Sequence, residues 1–297
     1  MSVLLISDTH IAAGNPKGRK GDYASDIKDK LAEIAKLANE HSVSEVICAG
    51  DVFHMPTPAY SAMSNFVKFV KELPCPFVTI PGSHDLKGGN LDVLHQTAVG
   101  LLYQLGIITL LSSSTQVSYE GIDCIIGTKF AETCDIELTH EFVTPKPDLF
   151  GDYTLTGEYQ TEATLVAVGH YHNGYVTETV NNTIYVCPGS IARTQAQQSE
   201  FSRRPKVVLI TGPIRNDDSL SAAYSIRDIE LESVKLGSDV LIAPEVTPQI
   251  EFTHILKQWA SVRTDEISAE VLLREIAEQE QIDSSYVDYA INALPAK

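Results

Sequence analysis

Four short clusters set carboxylates and imidazoles just after apolar runs: Asp8-Thr9-His10, Gly50-Asp51-Val52-Phe53-His54, Gly82-Ser83-His84-Asp85 and Gly169-His170-Tyr171-His172. Carboxylate oxygens together with imidazole nitrogens are the donor set of divalent metals that handle phosphate. Asp8 and His10 form an i, i+2 pair at the end of a run, where both can turn toward one point, and His170 and His172 repeat that spacing. An isolated D-x-H triplet says little. Four clusters in this order imply one constellation centred on Asp51, with the chemistry of a two-metal phosphoesterase. That chemistry requires a carboxylate able to bridge two ions, with histidines and further oxygen donors around each.

The elements that must position these residues follow from periodicity. Residues 2–6 read as a buried strand delivering Asp8 and His10, and 14–21 reads as loop. Ile27, Leu31, Ile34 and Leu37 fall at helical spacing, predicting an amphipathic helix over 24–41. The run 44–49 predicts a strand ending at Gly50, whose tight turn leaves Asp51 at the carboxyl end, the edge where open α/β sheets bind ligands. The result is a β-α-β unit with the usual right-handed crossover. A helix over 59–73, a strand over 77–80 ending at the third cluster and a helix over 91–105 repeat the pattern.

After that the pattern changes. Residues 117–119 and 122–126 are short strands, with Glu120-Gly121 suggesting a hairpin. The strand 136–139 ends at His140, and 143–163 reads as loop. The strand 165–168 delivers the fourth cluster, a hairpin passes through Asn181-Asn182 to 184–187, and strands at 206–211 and 223–233 finish the sheets. The expected domains are a catalytic one over 1–235 and a small C-terminal region over 236–297. The latter carries helices near 249–261, 268–280 and 284–293 and no ligand cluster. Its stripe of Leu272, Leu273, Ile276 and Ala277 fits packing on its own domain better than a partner surface.

Composition bounds the function. No apolar run among the 297 residues approaches the roughly 20 needed to span a bilayer, and no basic segment precedes Val3–Ile6, so neither membrane nor signal peptide is expected. Five scattered cysteines without a C-x-x-C pair fit reduced thiols in a cytoplasm. A formal net charge of −17 argues against a protein that coats nucleic acid. It leaves room for an enzyme meeting phosphate through metals and a few local cations. Lys17, Arg19, Lys20 and Arg193 are the candidate substrate-binding cations, and Arg203, Arg204 and Lys206 form a further basic patch.

The order D-x-H, G-D-x-x-H, G-x-H-D, H, G-H-x-H resembles that of the calcineurin-like metallophosphoesterases over about residues 1–235. The form Gly50–His54 and the later Pro188-Gly189-Ser190 are most similar to the SbcD branch, the meiotic-recombination-eleven type of DNA-repair nuclease subunit. The resemblance implies an α/β fold: an α/β/β/α sandwich of two mixed sheets flanked by helices. It implies one metal held by Asp8, His10 and His172, and a second held by His140, His170 and the residue at 83, with Asp51 bridging. His84 would protonate the leaving oxygen with Asp85 orienting its ring, and His54 would contact the scissile phosphate. Where the family has Asn this chain has Ser83, a shorter donor that reaches the second ion directly or through a water.

The function so implied is a Mn-dependent DNA exonuclease or endonuclease subunit of a repair or recombination complex. Fe or Zn would also suit its donors. Its partners would be DNA and an SMC-like ATPase bound through the C-terminal region, with homodimerisation left open. The alternatives are a phosphodiesterase or phosphatase for small or nucleotide substrates, and a non-catalytic scaffold with a weakened second metal site.

Overall fold

The computed structural model describes residues 2–111, 114–119, 122–131, 133–148, 152–214, 223–242 and 274. In chain order the first part runs β1 (Ser2–Ile6), α1 (Tyr23–Glu40), β2 (Glu45–Cys48), α2 (Tyr60–Glu72), β3 (Phe77–Thr79), α3 (Ala98–Gln104) and β4 (Thr109–Leu110). There follow β5 (Ser114–Tyr119), β6 (Ile122–Gly127), β7 (Ile136–Thr139), β8 (Val143–Thr144), β9 (Thr154–Leu155), β10 (Leu165–Val168), β11 (Glu178–Val180) and β12 (Thr183–Val186). α4 (Gln198–Ser202), β13 (Lys206–Ile214), β14 (Ala223–Glu230) and α5 (Gly237–Val240) complete the described elements.

Two six-stranded mixed sheets result, ordered β14-β13-β1-β2-β3-β4 and β11-β12-β10-β7-β6-β5. In the first, β1, β2, β3 and β4 are parallel, and β13 joins β1 antiparallel. In the second, β6, β7, β10 and β12 are parallel, with β5 and β11 as antiparallel edges. The near-continuous apolar runs of β1, β2 and β10 follow from burial on both faces. Val3, Leu5, Ile47 and Val78 pack in one core with Ile126, Leu138, Leu165 and Ala167 of the other sheet. On the opposite face of β1 and β2, Leu4, Ile6, Val46 and Cys48 pack with α1 and α2 through Ile27, Leu31, Ile34, Phe66 and Phe69. The chain is thus the expected mixed α/β sandwich flanked by helices. On the second sheet, Val166 and Val168 are met by Val143 and Tyr159 from the segment that follows β7.

Three local expectations change. The helix expected over 91–105 is split into a 3-10 stretch, Leu91–Gln96, and α3. Thr97 is the reason: its hydroxyl accepts the Gly100 N–H at 3.2 Å and caps α3 there. The segment 143–163 is not all loop, because β8 and β9 pair in parallel. The last strand ends at Glu230, not 233. The chain divides into compact units Met1–Ala243 and Pro244–Lys297. The helices expected in the second, with the stripe Leu272, Leu273, Ile276 and Ala277, and the turn Glu120-Gly121 lie outside the described residues.

Candidate metal centre

Because β1, β2, β3, β7 and β10 are parallel within their sheets, the residues that follow them gather on one edge of the sandwich. Asp8, His10, Asp51 and His170 all have left-handed backbone there, with φ of 50, 42, 52 and 69°. For a non-glycine residue such a conformation costs on the order of 1–3 kcal/mol and persists only when its surroundings enforce it. Here the strand-end loops hold one another. Asp8 N–H donates to Gly50 O at 3.1 Å, His10 N–H to Asp51 O at 3.0 Å and Ile11 N–H to Val52 O at 2.9 Å. Across the sheets, His170 N–H donates to Asp8 Oδ2 at 3.1 Å. The loops touch so closely that a Cβ on Gly82 would lie 2.2 Å from Asp51 N, and one on Gly169 2.0 Å from Ala49 O.

The side chains so delivered leave a set of unmet lone pairs. Asp8 is fully buried, and its Oδ2 accepts from the Ser7 hydroxyl as well as from His170. Its Oδ1 has no hydrogen-bond partner. That oxygen lies 3.6 Å from His172 Nε2, 3.9 Å from His10 Nε2 and 4.0 Å from His140 Nε2. Asp51 Oδ1 accepts the His84 N–H at 2.7 Å. Asp51 Oδ2 lies 3.2 Å from His140 Nε2, 3.7 Å from His10 Nε2 and 3.5 Å from Ser83 Oγ. His10 Nε2 and His172 Nε2 face each other at 2.9 Å, so one hydrogen at most fits between two nitrogens. His140 Nδ1 bonds to Ala49 O at 2.6 Å. With Nδ1 so engaged, Nε2 is the nitrogen turned toward the two carboxylates, the outer-shell arrangement that orients a metal-ligating histidine.

Asp8, His10 and His172 form one group able to hold an ion, and Asp8, Asp51 and His140 form another. A third unites His10, His54 and His84. The donor set fits divalent metal: an orphaned buried carboxylate oxygen, an unpartnered buried imidazole nitrogen on His140, and two imidazoles meeting nitrogen to nitrogen.

The electrostatics without metal are those of a site ready to be filled. Burial pushes Asp8 up to about 6, with the nearby His140 charge opposing. Burial also acts to raise Asp51, but the contact with His140 and its charge, then His10, hold that carboxyl well below its usual range. His140 is pushed up to about 9: burial works against it, and the Asp51 contact and the Asp8 charge outweigh burial. Burial, then the charge of His172, lowers His10, and burial, then Arg203, lowers His172 to about 4. Near neutral pH the centre therefore carries an Asp51–His140 ion pair beside neutral imidazoles, and neutral imidazole is the form that binds metal.

The remaining expected residues divide. The His170 ring stands edge-on to His140 at 5.3 Å. His54 and His84 stack at 5.3 Å on the rim, with His84 Nδ1 at 2.9 Å from His54 O. Asp85 does not orient the His84 ring. Its buried carboxylate accepts the N–H groups of Val52, Phe53 and Gly82 at 3.0–3.1 Å, tying the loop after β2 to the loop after β3. None of Lys17, Arg19, Lys20 and Arg193 lines the cleft in front of the metal groups. Lys17 and Lys20 are exposed elsewhere. Arg19 is buried, paired to Asp26 at 2.5 Å and set over the Tyr23 ring. Arg193 is buried too, donating to Lys235 O at 2.9 Å and Arg203 O at 2.5 Å.

Several contributors were not singled out from sequence. Ser7 holds Asp8, and Ser190 Oγ donates to Asp8 O at 2.6 Å. The cleft, about 260 Å³, is lined also by Phe142 and Tyr171, stacked at 5.2 Å, and by Asn173, Gln195 and Gln197. A signal for Ser7 and Tyr171 existed, since each adjoins a ligand in sequence. Phe142 and the two glutamines lie in segments without a pattern.

The family model for the calcineurin-like phosphoesterase superfamily domain matches residues 1–208. The DNA double-strand break repair protein Mre11 of Saccharolobus solfataricus is 28% identical over 127 residues, 41% of this chain and 32% of that protein. The protein of the same name from Sulfolobus acidocaldarius is 24% identical over 195 residues, 58% of this chain and 50% of its own length. The chain thus spans a third to a half of these curated relatives. A solved archaeal phosphodiesterase superposes with a TM-score of 0.41 at 16% identity, covering 78% of this chain and 100% of that one. Among the described residues, no helix is long and apolar enough to cross a membrane.

Proposed function

Because the chain belongs to the calcineurin-like phosphoesterase superfamily, we propose that it hydrolyses phosphodiesters at this centre and that its substrate is DNA, cut with Mn²⁺. The observation that carries the reading is the buried, unpartnered Asp8 Oδ1 facing three imidazole nitrogens within 4.0 Å. When bound, a pair of divalent ions supplies Lewis acidity toward the phosphoryl oxygens and a more acidic water. Asp8, His10 and His172 would hold one ion. Asp51, His140 and His170 would hold the other, with Asp51 shared and Ser83, whose hydroxyl lies on the Asp51 side, completing the second through a water. Mn²⁺ suits this mixture of carboxylate and imidazole, with Fe²⁺ or Zn²⁺ next.

The chain's own residues then position and protonate. His84 stands on the rim with Nε2 free, suited to give a proton to the leaving oxygen. Its ring is set by the stack on His54 and by the Nδ1 contact to His54 O. His54 contacts the phosphate. Asp85 acts through the backbone, keeping the His54 and His84 loops in register. The Phe142–Tyr171 wall offers an aromatic face to a base beside the scissile phosphate. An SMC-like ATPase partner, engaged through 236–297, belongs to the same reading.

A second reading, a phosphodiesterase for small or nucleotide substrates, is favoured by one observation. Among the described residues no lysine or arginine lines the cleft, while Asp148 and Glu200 do, so a long polyanion finds little attraction there. Metal analysis of protein loaded with excess Mn²⁺, against Asp51→Asn, tests the centre. Two ions in the wild type and a deficit in the variant are expected; one ion or none in the wild type leaves the weakened scaffold. Cleavage of linear and single-stranded DNA against bis(p-nitrophenyl) phosphate then separates the two enzymatic readings.

A further inference from the structure

Behind the metal centre, five cations converge between α1, the segment after β12 and the segment after β14: Arg19, Lys30, Arg193, Arg203 and Lys235. Arg19, Lys30 and Arg193 are each 4% exposed or less. Two carboxylates answer them. Asp26 takes Arg19 at 2.5 Å and also Lys235, and Glu200 takes Arg203 at 2.8 Å. Lys30 and Arg193 meet backbone carbonyls, Lys30 Nζ donating to Ile191 O at 2.6 Å. Cations thus outnumber carboxylates around three buried side chains, Arg19, Lys30 and Arg193, with Lys235 reaching them from the solvent-exposed side. The imbalance shows in the groups themselves. Burial, then Arg19 and Arg193, push Lys30 down to about 7, and burial, then Arg203, lowers Arg193 to about 10.

Arg19, Lys30, Arg193, Lys235 and Ser233 border one small cavity of about 10 Å³, together with Asp26, whose two carboxylate oxygens are already taken by Arg19 and Lys235. Three polar atoms of this lining are buried without a partner: Arg19 Nε, Arg193 Nε and Ser233 Oγ. Both guanidinium nitrogens can only donate, and the hydroxyl can. A water accepts two hydrogen bonds and brings no charge, so it would leave the excess unbalanced. A negative acceptor meets both needs, and so small a space favours a monatomic anion over sulfate or phosphate.

We propose that this cavity binds one chloride ion, held by Arg19, Arg193, Lys30 and the Ser233 hydroxyl. The ion ties α1 to the chain after β12 and after β14. Its position matters to the metal centre, because Ser190, one residue before Ile191, donates from Oγ to Asp8 O and from N to His172 O.

The test is thermal unfolding of the full chain in sodium chloride against sodium gluconate at equal ionic strength. Between about 10 and 300 mM salt, the midpoint should climb about 5 °C further in chloride, as expected of a ligand that binds only the folded state. Ser233→Ala should keep the gluconate midpoint and lose at least half of that extra rise. A crystal grown in sodium bromide should show an anomalous peak between Arg19, Arg193 and Ser233, a readout that needs no variant to fold. Equal midpoints in the two salts with a water in the cavity would overturn the proposal. So would a bromide peak without any chloride effect, since that is an adventitious ion only.

Discussion

Gly82→Ala isolates how closely the strand-end loops must approach for the centre to form. Gly82 has φ of −92° and ψ of 179°, extended backbone that any residue adopts, so alanine brings no conformational strain. Its Cβ would nevertheless lie 2.2 Å from both Asp51 N and Asp51 Oδ1. Restoring an ordinary contact of about 3.4 Å requires a shift of about 1 Å, and Asp85 holds both loops rigidly. Such overpacking costs about 1–3 kcal/mol, a midpoint fall of roughly 3–10 °C for a domain of this size. The larger effect falls on chemistry, since about 1 Å of misplacement in a reacting geometry costs on the order of 100-fold. Gly88→Ala is the counterpart, because Gly88 sits at φ 59° with nothing within 4 Å of its would-be Cβ. It should lose about 1 kcal/mol and leave metal binding alone. The assays are Mn²⁺ binding by calorimetry and turnover of bis(p-nitrophenyl) phosphate. Wild-type affinity for both ions in Gly82→Ala would refute the idea that Asp51 is held by this close approach.

Ser83→Asn should raise occupancy of the second ion and the Mn²⁺-dependent rate by about tenfold; unchanged stoichiometry would mean the serine site is already complete. Phe142→Leu with Tyr171→Leu should raise KM for a dinucleotide by about tenfold, the worth of ~1–3 kcal/mol of base stacking. It should leave KM for dimethyl phosphate alone, and equal effects on both substrates would remove the aromatic wall from recognition. Glu45, at the start of β2 and remote from the cleft, has one buried unpartnered oxygen, and burial pushes it from 4.5 up to about 7. A raised folded-state value means the native state binds the proton more tightly. Its stabilising contribution is full below about pH 4.5 and is lost as pH rises through about 7. Discounted for partial exposure, Glu45→Gln should gain ~1–2 kcal/mol near pH 8 and nothing near pH 4 in denaturant unfolding. A gain that does not vary with pH would count against this account.

How far the site was legible depends on which distances set each part. The parallel strands were readable because two-sided burial writes itself as short apolar runs, and Asp8, Asp51 and His170 follow those runs within two or three residues. The helix break at Thr97 and the pair β8–β9 were not, since one cap and a two-residue ladder leave no periodicity. Two of the four candidate cations were illegible for a different reason. Arg19 and Arg193 look like exposed loop residues, yet Asp26 on α1 and the carbonyls of Arg203 and Lys235 draw them inside. These partners lie between 7 and 42 residues away, beyond what a local pattern can carry. Asp85 misled by adjacency. A carboxylate next to a histidine suggests a dyad, but a tight turn sends consecutive side chains apart, and this one finds three N–H groups instead.

The motif spacing itself has a steric origin in the two tightest approaches. At Gly82 and Gly169 a side chain is excluded by the backbone of the loop after β2, while the very next residues, Ser83 and His170, point into the cleft. A glycine followed at once by a polar residue is what a loop needs when its backbone must touch a neighbour and its next side chain must reach past it. His170 accepts the left-handed backbone because glycine, the easier residue there, carries no imidazole. The strain at Asp8, His10, Asp51 and His170 is thus tied to donor groups that no relaxed residue could supply at those positions. Metal binding should offset that strain, so the loops after β1, β2 and β10 should gain hydrogen-exchange protection on adding Mn²⁺, while α2 should not. Uniform protection across the domain would mean that the ions stabilise the fold without gripping these loops.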